Sequence, residues 1–277
     1  MGYRDILVHV PLVEYDKQVR LAVVLTRQFN AHITGICILP DSAMLRSVAH
    51  NPLIRLNGSE VADIIEHEYD EAALVEQQFN AAADRAGISH NWLTGEGNPA
   101  DVLVHAARLY DLAIVEQHRV EADLLWGPAT RLALSGRPAL ILPTEWSEMA
   151  LPNHVLVAWN GSAQAAAAVR NALPLLKVST SVTLLVGEPR EALPLGMRLP
   201  PVDIANYLQR HGVKIDETDL EVPDSEAGDR ILKSAQHSKA DLIVMGAFGR
   251  SRLREWVLGG ATRHVLEHMT VPVFMAH

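Results

Sequence analysis

The chain has 277 residues, a length that favours two domains over one. With 48% hydrophobic and 21% charged residues, its composition is that of a folded globular protein and excludes a disordered one. The formal net charge of −9 argues against nucleic acid or an acidic membrane as partner, because phosphate groups reward a basic surface.

The first residues lead straight into a short apolar strand, so no signal peptide is predicted. No apolar run reaches the ~20 residues of a membrane-spanning helix. The single cysteine, Cys37, lies in an apolar run and is interpreted as a buried strand residue without chemistry. A lone cysteine also excludes an internal disulfide framework, so we expect a reducing compartment and a cytoplasmic protein.

Short apolar strands alternate with helical segments, and the same order of segments occurs twice. Four of the five predicted strands of each half are placed at residues 6–10, 31–36, 111–115 and 138–142 in the first half, and 154–159, 181–186, 241–245 and 272–275 in the second. Such alternation is typical of βαβ units. We therefore predict two tandem Rossmann-like α/β domains, residues 1–147 and 148–277, each a mostly parallel five-stranded sheet flanked by helices. The proline-bracketed residues 143–152 form the linker.

Two proline- and glycine-containing segments, residues 40–59 and 187–201, follow the second strand of each half. They lie at the carboxyl edge of the sheet, where open α/β sheets bind ligands. A flap over a ligand and a surface excursion without function are both open interpretations.

A glycine-rich motif lies between the fourth strand of the second half and its last helix. Gly246 and Gly249 are followed, after nine residues, by Gly259 and Gly260. Glycines allow positive φ and close approach of a ligand, so that backbone amides can point at phosphate oxygens. A helix that begins near Gly260 adds unpaired amides and a positive dipole end. The motif predicts an anion-binding loop.

The local charge favours the same interpretation. Residues 250–263 carry four arginines against one glutamate, a net charge of +3 in an acidic chain. The alternative is that the glycines form tight turns and the arginines face water. The motif alone leaves both interpretations open.

In its glycine motif and order of segments, the chain resembles the universal stress protein family over nearly its whole length, as two family domains. The resemblance implies an adenine-nucleotide alpha-hydrolase-like fold. It also implies a nucleoside contact after the first strand, an adenine contact at the end of the second, and ribose and phosphates on the glycine loop. The implied nucleotide-binding residues are Trp159, Asn160, Val186, Met245, Gly246, Gly249, Arg250, Gly259, Gly260, Ala261 and Thr262.

The second half departs from the family pattern at two positions. Gly260 stands where the family has Ser or Thr, which removes a hydroxyl donor but leaves the backbone amide. Asn160 stands where the family has Asp, which changes the pattern of donors and acceptors. Because a hydrogen bond nets about 0.5–1.5 kcal/mol, we expect weaker binding rather than none. The implied ligand is ATP, with Mg²⁺ as its companion ion.

The first half has diverged further. Where the second half has Gly246 to Gly249, the first has Glu116, Gln117, His118 and Arg119, and Pro11 stands at the position of the family acid. Bulky side chains block close approach to the backbone, and Glu116 repels phosphate. We predict no nucleotide in this half.

Other chemistries find little support. His264 and His268 are spaced i, i+4, but no third ligand is evident and no metal site is predicted. His67 is interpreted as part of a solvated helix face. Ser162 is interpreted as a helix N-cap rather than a nucleophile. No catalytic residue is identified, so we expect at most slow ATP hydrolysis.

Three functions follow, in order of preference. The first is a stress-response or regulatory protein that binds an adenine nucleotide in its second half only. The second is an interaction or scaffold protein of the same fold that acts through its dimer surfaces without nucleotide. The third is an ATP-dependent ligase of the wider superfamily, disfavoured because the Ser-Gly-Gly loop of its pyrophosphatase-type members is missing.

The resemblance also implies pairing of domains through their last strands. Within this chain, Pro138–Leu142 would pair with Pro272–Met275 to make an intramolecular pseudo-dimer. Further association as a homodimer is left open.

Overall fold

The computed structural model describes residues 2–49, 58–117, 127–147, 150–187, 202–219, 227–247 and 260–277. The first half contains β1 (Asp5–His9), α1 (Asp16–Phe29), β2 (His32–Leu39), α2 (Ser42–Ala49), α3 (Gly58–Ala86), β3 (His90–Glu96), α4 (Pro99–Ala106), a 3-10 turn (Ala107–Leu109), β4 (Leu112–Glu116), α5 (Pro128–Leu134) and β5 (Ala139–Leu142).

The second half follows a similar course. It contains β6 (His154–Trp159), α6 (Ala163–Val178), β7 (Ser181–Val186), α7 (Ile204–Arg210), β8 (Ile215–Asp219), α8 (Ala227–Ser238), β9 (Leu242–Gly246), α9 (Gly260–His268) and β10 (Val273–Ala276). Among the helices that the structure describes, none combines the length and the apolar character needed to cross a membrane.

The described strands form one ten-stranded sheet in the order β3-β2-β1-β4-β5-β10-β9-β6-β7-β8. Each half supplies five adjacent strands, and neighbours within a half pair in parallel. The predicted fold class, a mostly parallel sheet flanked by helices, is confirmed. The domain boundary between residues 147 and 148 stays a prediction.

The sheet is buried on both faces, which explains why its central strands are continuous apolar runs rather than alternating ones. Ile114 and Val244 point into a core on the face of α1, α3 and α6. Val115 and Ile243 point into the core on the opposite face. Both cores draw residues from the two halves, so the halves share their hydrophobic interior.

An aspartate at the start of the fourth strand repeats in each half. The Asp111 carboxylate accepts hydrogen bonds from the backbone N–H groups of Arg4 and Asp5, at 2.6 and 3.2 Å. The Asp241 carboxylate accepts from Asn153 and His154, at 2.8 and 3.1 Å. Each aspartate ties the fourth strand of its half to the first, so the two halves can be aligned from these residues.

The halves join through β5 and β10, which pair antiparallel. Ile141 lies opposite Val273, Leu140 opposite Phe274 and Ala139 opposite Met275. The predicted pairing of these two segments is present. It covers what would otherwise be two exposed apolar edge strands.

A buried tyrosine also links the halves. The Tyr3 hydroxyl donates a hydrogen bond of 2.8 Å to the backbone oxygen of Asn171 in α6. Burial, and to a lesser extent the charge of Asp111, raises the pKa of Tyr3 well above its ordinary value. The folded state therefore keeps this phenol protonated.

We expect Tyr3→Phe to lower the free energy of unfolding by about 1 kcal/mol at neutral pH, because it removes that hydrogen bond. Wild-type stability should fall above about pH 10, where the unfolded tyrosine ionises and the folded one does not. The variant should lose less on the same rise in pH. Urea denaturation at pH 7 and pH 10.5 measures both effects. If the half-buried control Tyr110→Phe costs as much, the interaction between the halves is not the cause.

Candidate functional site

The predicted site residues of three strands meet at one edge of the second half. Trp159, the last residue of β6, pairs with Val186 at the end of β7. Ala158 pairs with Met245 of β9 on the other side of β6. The chain runs from β6 outward to β7 and later returns to β9, so a topological switch point lies between β6 and β9. Open α/β sheets form their ligand crevices at such points.

Trp159 and Met245 contribute main chain rather than side chains to this edge. Trp159 is 7% exposed and packs in the core on the α6 face, and Met245 is 5% exposed in the opposite core. The Gly187 N–H donates a hydrogen bond of 2.7 Å to the Trp159 carbonyl. The ends of β6 and β7 are thereby held together.

The turn after β6 is built by three consecutive residues. The Asn160 side-chain oxygen accepts from the Ser162 N–H at 3.2 Å. Gly161 has φ of +73°, a conformation that favours glycine. The Ser162 hydroxyl accepts from the Ala165 N–H at 3.1 Å, which caps α6. The predicted N-cap role of Ser162 is confirmed.

Gly246 lies where β9 touches the first turn of α6. A Cβ on Gly246 would lie 2.5 Å from the Ala165 nitrogen and 2.7 Å from the Gln164 carbonyl carbon. Gly246 is absent from the described glycines with positive φ. We expected the loop glycines to adopt positive φ. At Gly246 a glycine is needed for a different reason, because the main chain of α6 leaves no room for a side chain.

The last helix, α9, begins at Gly260, as predicted. A Cβ on Gly260 would find no heavy atom within 4 Å, Ala261 is half-buried, and Thr262 is 4% exposed. Gly249 and Gly259 lie outside the described residues, as do Arg250, Arg252 and Arg254. The geometry of the glycine loop itself is therefore a prediction. The fourth arginine of the segment, Arg263, lies in α9 and forms an ion pair with Glu267 of the same helix.

In the first half, a buried ion pair occupies the position that corresponds to Gly246. Counted from the matching residues Asp111 and Asp241, Glu116 corresponds to Gly246. Its carboxylate lies 2.5 Å from the Lys17 ammonium and accepts a hydrogen bond of 2.6 Å from the Gln18 amide. The Lys17 and Glu116 side chains are only 12% and 9% exposed, and Lys17 also donates to the Thr144 carbonyl.

Pro11 follows the end of β1, at the position of Asn160. Gln117 is buried, and its side-chain nitrogen has no hydrogen-bond partner in the described structure. His118 and Arg119 lie outside the described residues. The described carboxyl edge of the first half is therefore occupied by large polar side chains where the second half has glycine and alanine.

The histidine pair of α9 interacts within its own helix. The rings of His264 and His268 stack with centroids 4.4 Å apart, and His268 Nδ1 lies 2.9 Å from the His264 carbonyl oxygen. Within the described ranges, no three His, Cys, Asp or Glu residues form a group that could hold a metal ion. His67 is exposed and lies 3.3 Å from Glu71.

Cys37 is fully buried in β2, and burial raises the pKa of its thiol to about 11. A thiol with so high a pKa is a poor nucleophile near neutral pH. The interpretation of Cys37 as a buried strand residue is confirmed.

The two segments predicted as flap or excursion are described only in part. Residues 42–49 form α2, whose first turn is anchored by a hydrogen bond of 2.5 Å from the Ser42 N–H to Glu96. Residues 50–57 and 188–201 lie outside the described part. The two interpretations therefore remain open.

The sheet topology, with parallel strands in each half and helices on both faces, defines a Rossmann-like α/β protein. The universal stress protein family model matches residues 152–277. A universal stress protein of Synechocystis sp. is 28% identical over an alignment of 144 residues that covers 50% of this chain and 46% of that protein. The resemblance to the family is confirmed. The residues that the family model matches all lie in the second half. The match thus spans about half the length of the curated relative.

Solved structures share the fold over nearly the whole chain. A universal stress protein from Archaeoglobus fulgidus aligns with a TM-score of 0.70 at 16% identity, covering 98% of this chain and 95% of its own. A functionally unknown protein from Pseudomonas aeruginosa aligns with a TM-score of 0.57 at 14% identity, covering 98% and 92%. These likenesses establish the fold of both halves.

Sequence reasoning missed the partners of Glu116 and the contact of Gly246. Lys17, Gln18 and Thr144 carry no motif that marks them as neighbours of Glu116. The correspondence is seen when the first residues of α1 and α6 are aligned, which places Lys17 and Gln18 opposite Gln164 and Ala165.

Proposed function

We propose that this chain is a stress-response or regulatory protein that binds one adenine nucleotide, ATP, at the carboxyl edge of its second half. The observation that carries the proposal is the contrast between Gly246 and Glu116. At the matching strand end, the second half has a glycine packed against the start of α6 and no charged side chain, whereas the first has a buried carboxylate and its partners. A carboxylate there opposes phosphate.

Two helix N-termini support an anionic ligand at this edge. In a βαβ unit, the helix after a strand begins at the carboxyl edge of the sheet, so α6 and α9 both begin there. The positive dipole ends of these two helices favour phosphate. The resemblance of residues 152–277 to the family supplies the nucleotide as the ligand class.

The proposed site residues include no carboxylate, so Mg²⁺ would be held by the phosphates of ATP rather than by the predicted residues. These residues also supply no acid–base pair for rapid turnover. The proposed role is therefore regulatory binding, with at most slow hydrolysis.

The proposal includes an arrangement of the two halves as an intramolecular pseudo-dimer. The antiparallel β5–β10 pairing and the core shared by the two halves support it. The lone buried cysteine agrees with a reducing, cytoplasmic location.

Gly260→Glu tests the proposed site with little risk to the fold. The position is exposed and open, and an acidic residue in the first turn of a helix is stabilising. We expect the unliganded variant to melt at or above the wild-type temperature. Wild-type protein should gain about 2.7 kcal/mol of stability from ATP at a hundredfold excess over Kd, and the variant should lose this gain because its carboxylate repels phosphate. Thermal denaturation with and without ATP–Mg²⁺ measures both.

Gly260→Ala is the matched control, since it adds a side chain at the same open position without charge. It should keep most of the ATP-induced shift. A wild-type protein that shows no shift at millimolar ATP contradicts the proposal and favours a scaffold protein without nucleotide. If the Gly260→Glu variant keeps the full ATP-induced shift, ATP does not bind at the start of α9.

A further inference from the structure

The orientation of the Asn160 carboxamide is fixed by its neighbour. The Ser162 N–H can only donate, and it lies 3.2 Å from the Asn160 side-chain oxygen. Rotation of the carboxamide by 180° would place two donors against each other. The oxygen is therefore committed to the turn, and the amide nitrogen Nδ2 is directed away from it.

Among the described residues, none accepts a hydrogen bond from Nδ2. Asn160 itself is half-buried. Beside it lies Gly187, where a Cβ would come 3.9 Å from the Asn160 Cβ and 3.7 Å from the Trp159 oxygen. Since Gly187 has no side chain, it places none beside Asn160 where the ends of β6 and β7 meet.

We infer that Asn160 is a specificity-determining residue of this site, presenting only N–H donors and so selecting a ligand atom that accepts a hydrogen bond. On a nucleoside, such atoms are purine ring nitrogens and ribose oxygens used as acceptors. This inference rests on the proposed function. It also has a consequence opposite to that of the family resemblance: an aspartate at residue 160 should weaken binding, because both of its oxygens only accept.

Asn160→Asp is the test, with adenosine and ATP as separate probes. The aspartate retains an oxygen for the Ser162 N–H, so the turn and the cap of α6 should persist. We expect the variant to bind adenosine roughly tenfold more weakly, the scale of one lost hydrogen bond to a partner. ATP should lose at least as much, because its phosphates also meet a new negative charge. Isothermal titration calorimetry gives both affinities, and the melting temperature without ligand reports on the fold.

Adenosine separates the donor from the charge because it carries no phosphate. If Asn160→Asp weakens ATP but leaves adenosine unchanged or tighter, the effect is charge repulsion and the inference is overturned. Asn91→Asp, an exposed position on β3, adds the same charge far from the site and should leave both affinities unchanged. If neither adenosine nor ATP binds the wild-type protein, the proposed function fails together with this inference. If both bind and the variant is not weakened, only the inference fails.

Discussion

Glu116→Ala is expected to lower the free energy of unfolding by about 3 kcal/mol, because removal of one partner of a buried ion pair leaves the other charge uncompensated. Without Glu116, the Lys17 ammonium would keep a hydrogen bond to the Thr144 carbonyl while lying largely out of water. The buried amide of Gln18 would also lose its acceptor. Urea denaturation followed by circular dichroism measures the loss.

The double variant Lys17→Met, Glu116→Leu is expected to recover much of that loss, since apolar residues of similar size can replace a buried pair at little cost. Arg20→Ala is the control within the same helix. Its partner Asp16 is 2.5 Å away, but the two side chains are 62% and 73% exposed, so the change should cost less than about 1 kcal/mol. Equal losses for Glu116→Ala and Arg20→Ala would show that burial does not strengthen the first pair.

Gly246→Ala is expected to cost about 2–3 kcal/mol, because the new methyl group would meet main-chain atoms of α6. A contact of 2.5 Å with the Ala165 nitrogen cannot be relieved by rotating a side chain. Either β9 or the start of α6 has to move, so we also expect weaker ligand binding. The thermal denaturation midpoint, with and without ATP, reports both effects.

Gly260→Ala is the matched glycine substitution, since its position is open. It should be neutral or slightly stabilising, because alanine has the higher helix propensity. If the two alanine variants have the same midpoint, the contact between Gly246 and α6 does not constrain the fold.

The order of strands and helices along each half could be predicted because it rests on local patterns, whereas the join between the halves was implied by the family resemblance. Apolar runs such as residues 111–115 and 241–245 are recognisable without a structure, and both follow an aspartate. Their alternation with helices restricts the topology to parallel βαβ units. The start of α9 at Gly260 and the cap at Ser162 depend only on neighbouring residues, so both could also be predicted from the local sequence.

The candidate site was less accessible to such reasoning. Glu116 was correctly singled out as a residue unlike glycine, but its partner Lys17 lies 99 positions away, and no periodicity connects the two. Gly246 was predicted on the strength of a motif, yet its demonstrated contact is with α6 rather than with a ligand. A glycine pattern shows where side chains are absent, but only coordinates show what lies in the space they leave.

The β5–β10 seam has a consequence for how the two halves can diverge. When two identical chains assemble about a twofold axis, every substitution appears on both sides of the interface. Here one polypeptide supplies both strands. A carboxylate at residue 116 therefore alters the carboxyl edge of the first half and leaves that of the second half as it was. The two strands also cannot separate on dilution, because one chain carries both.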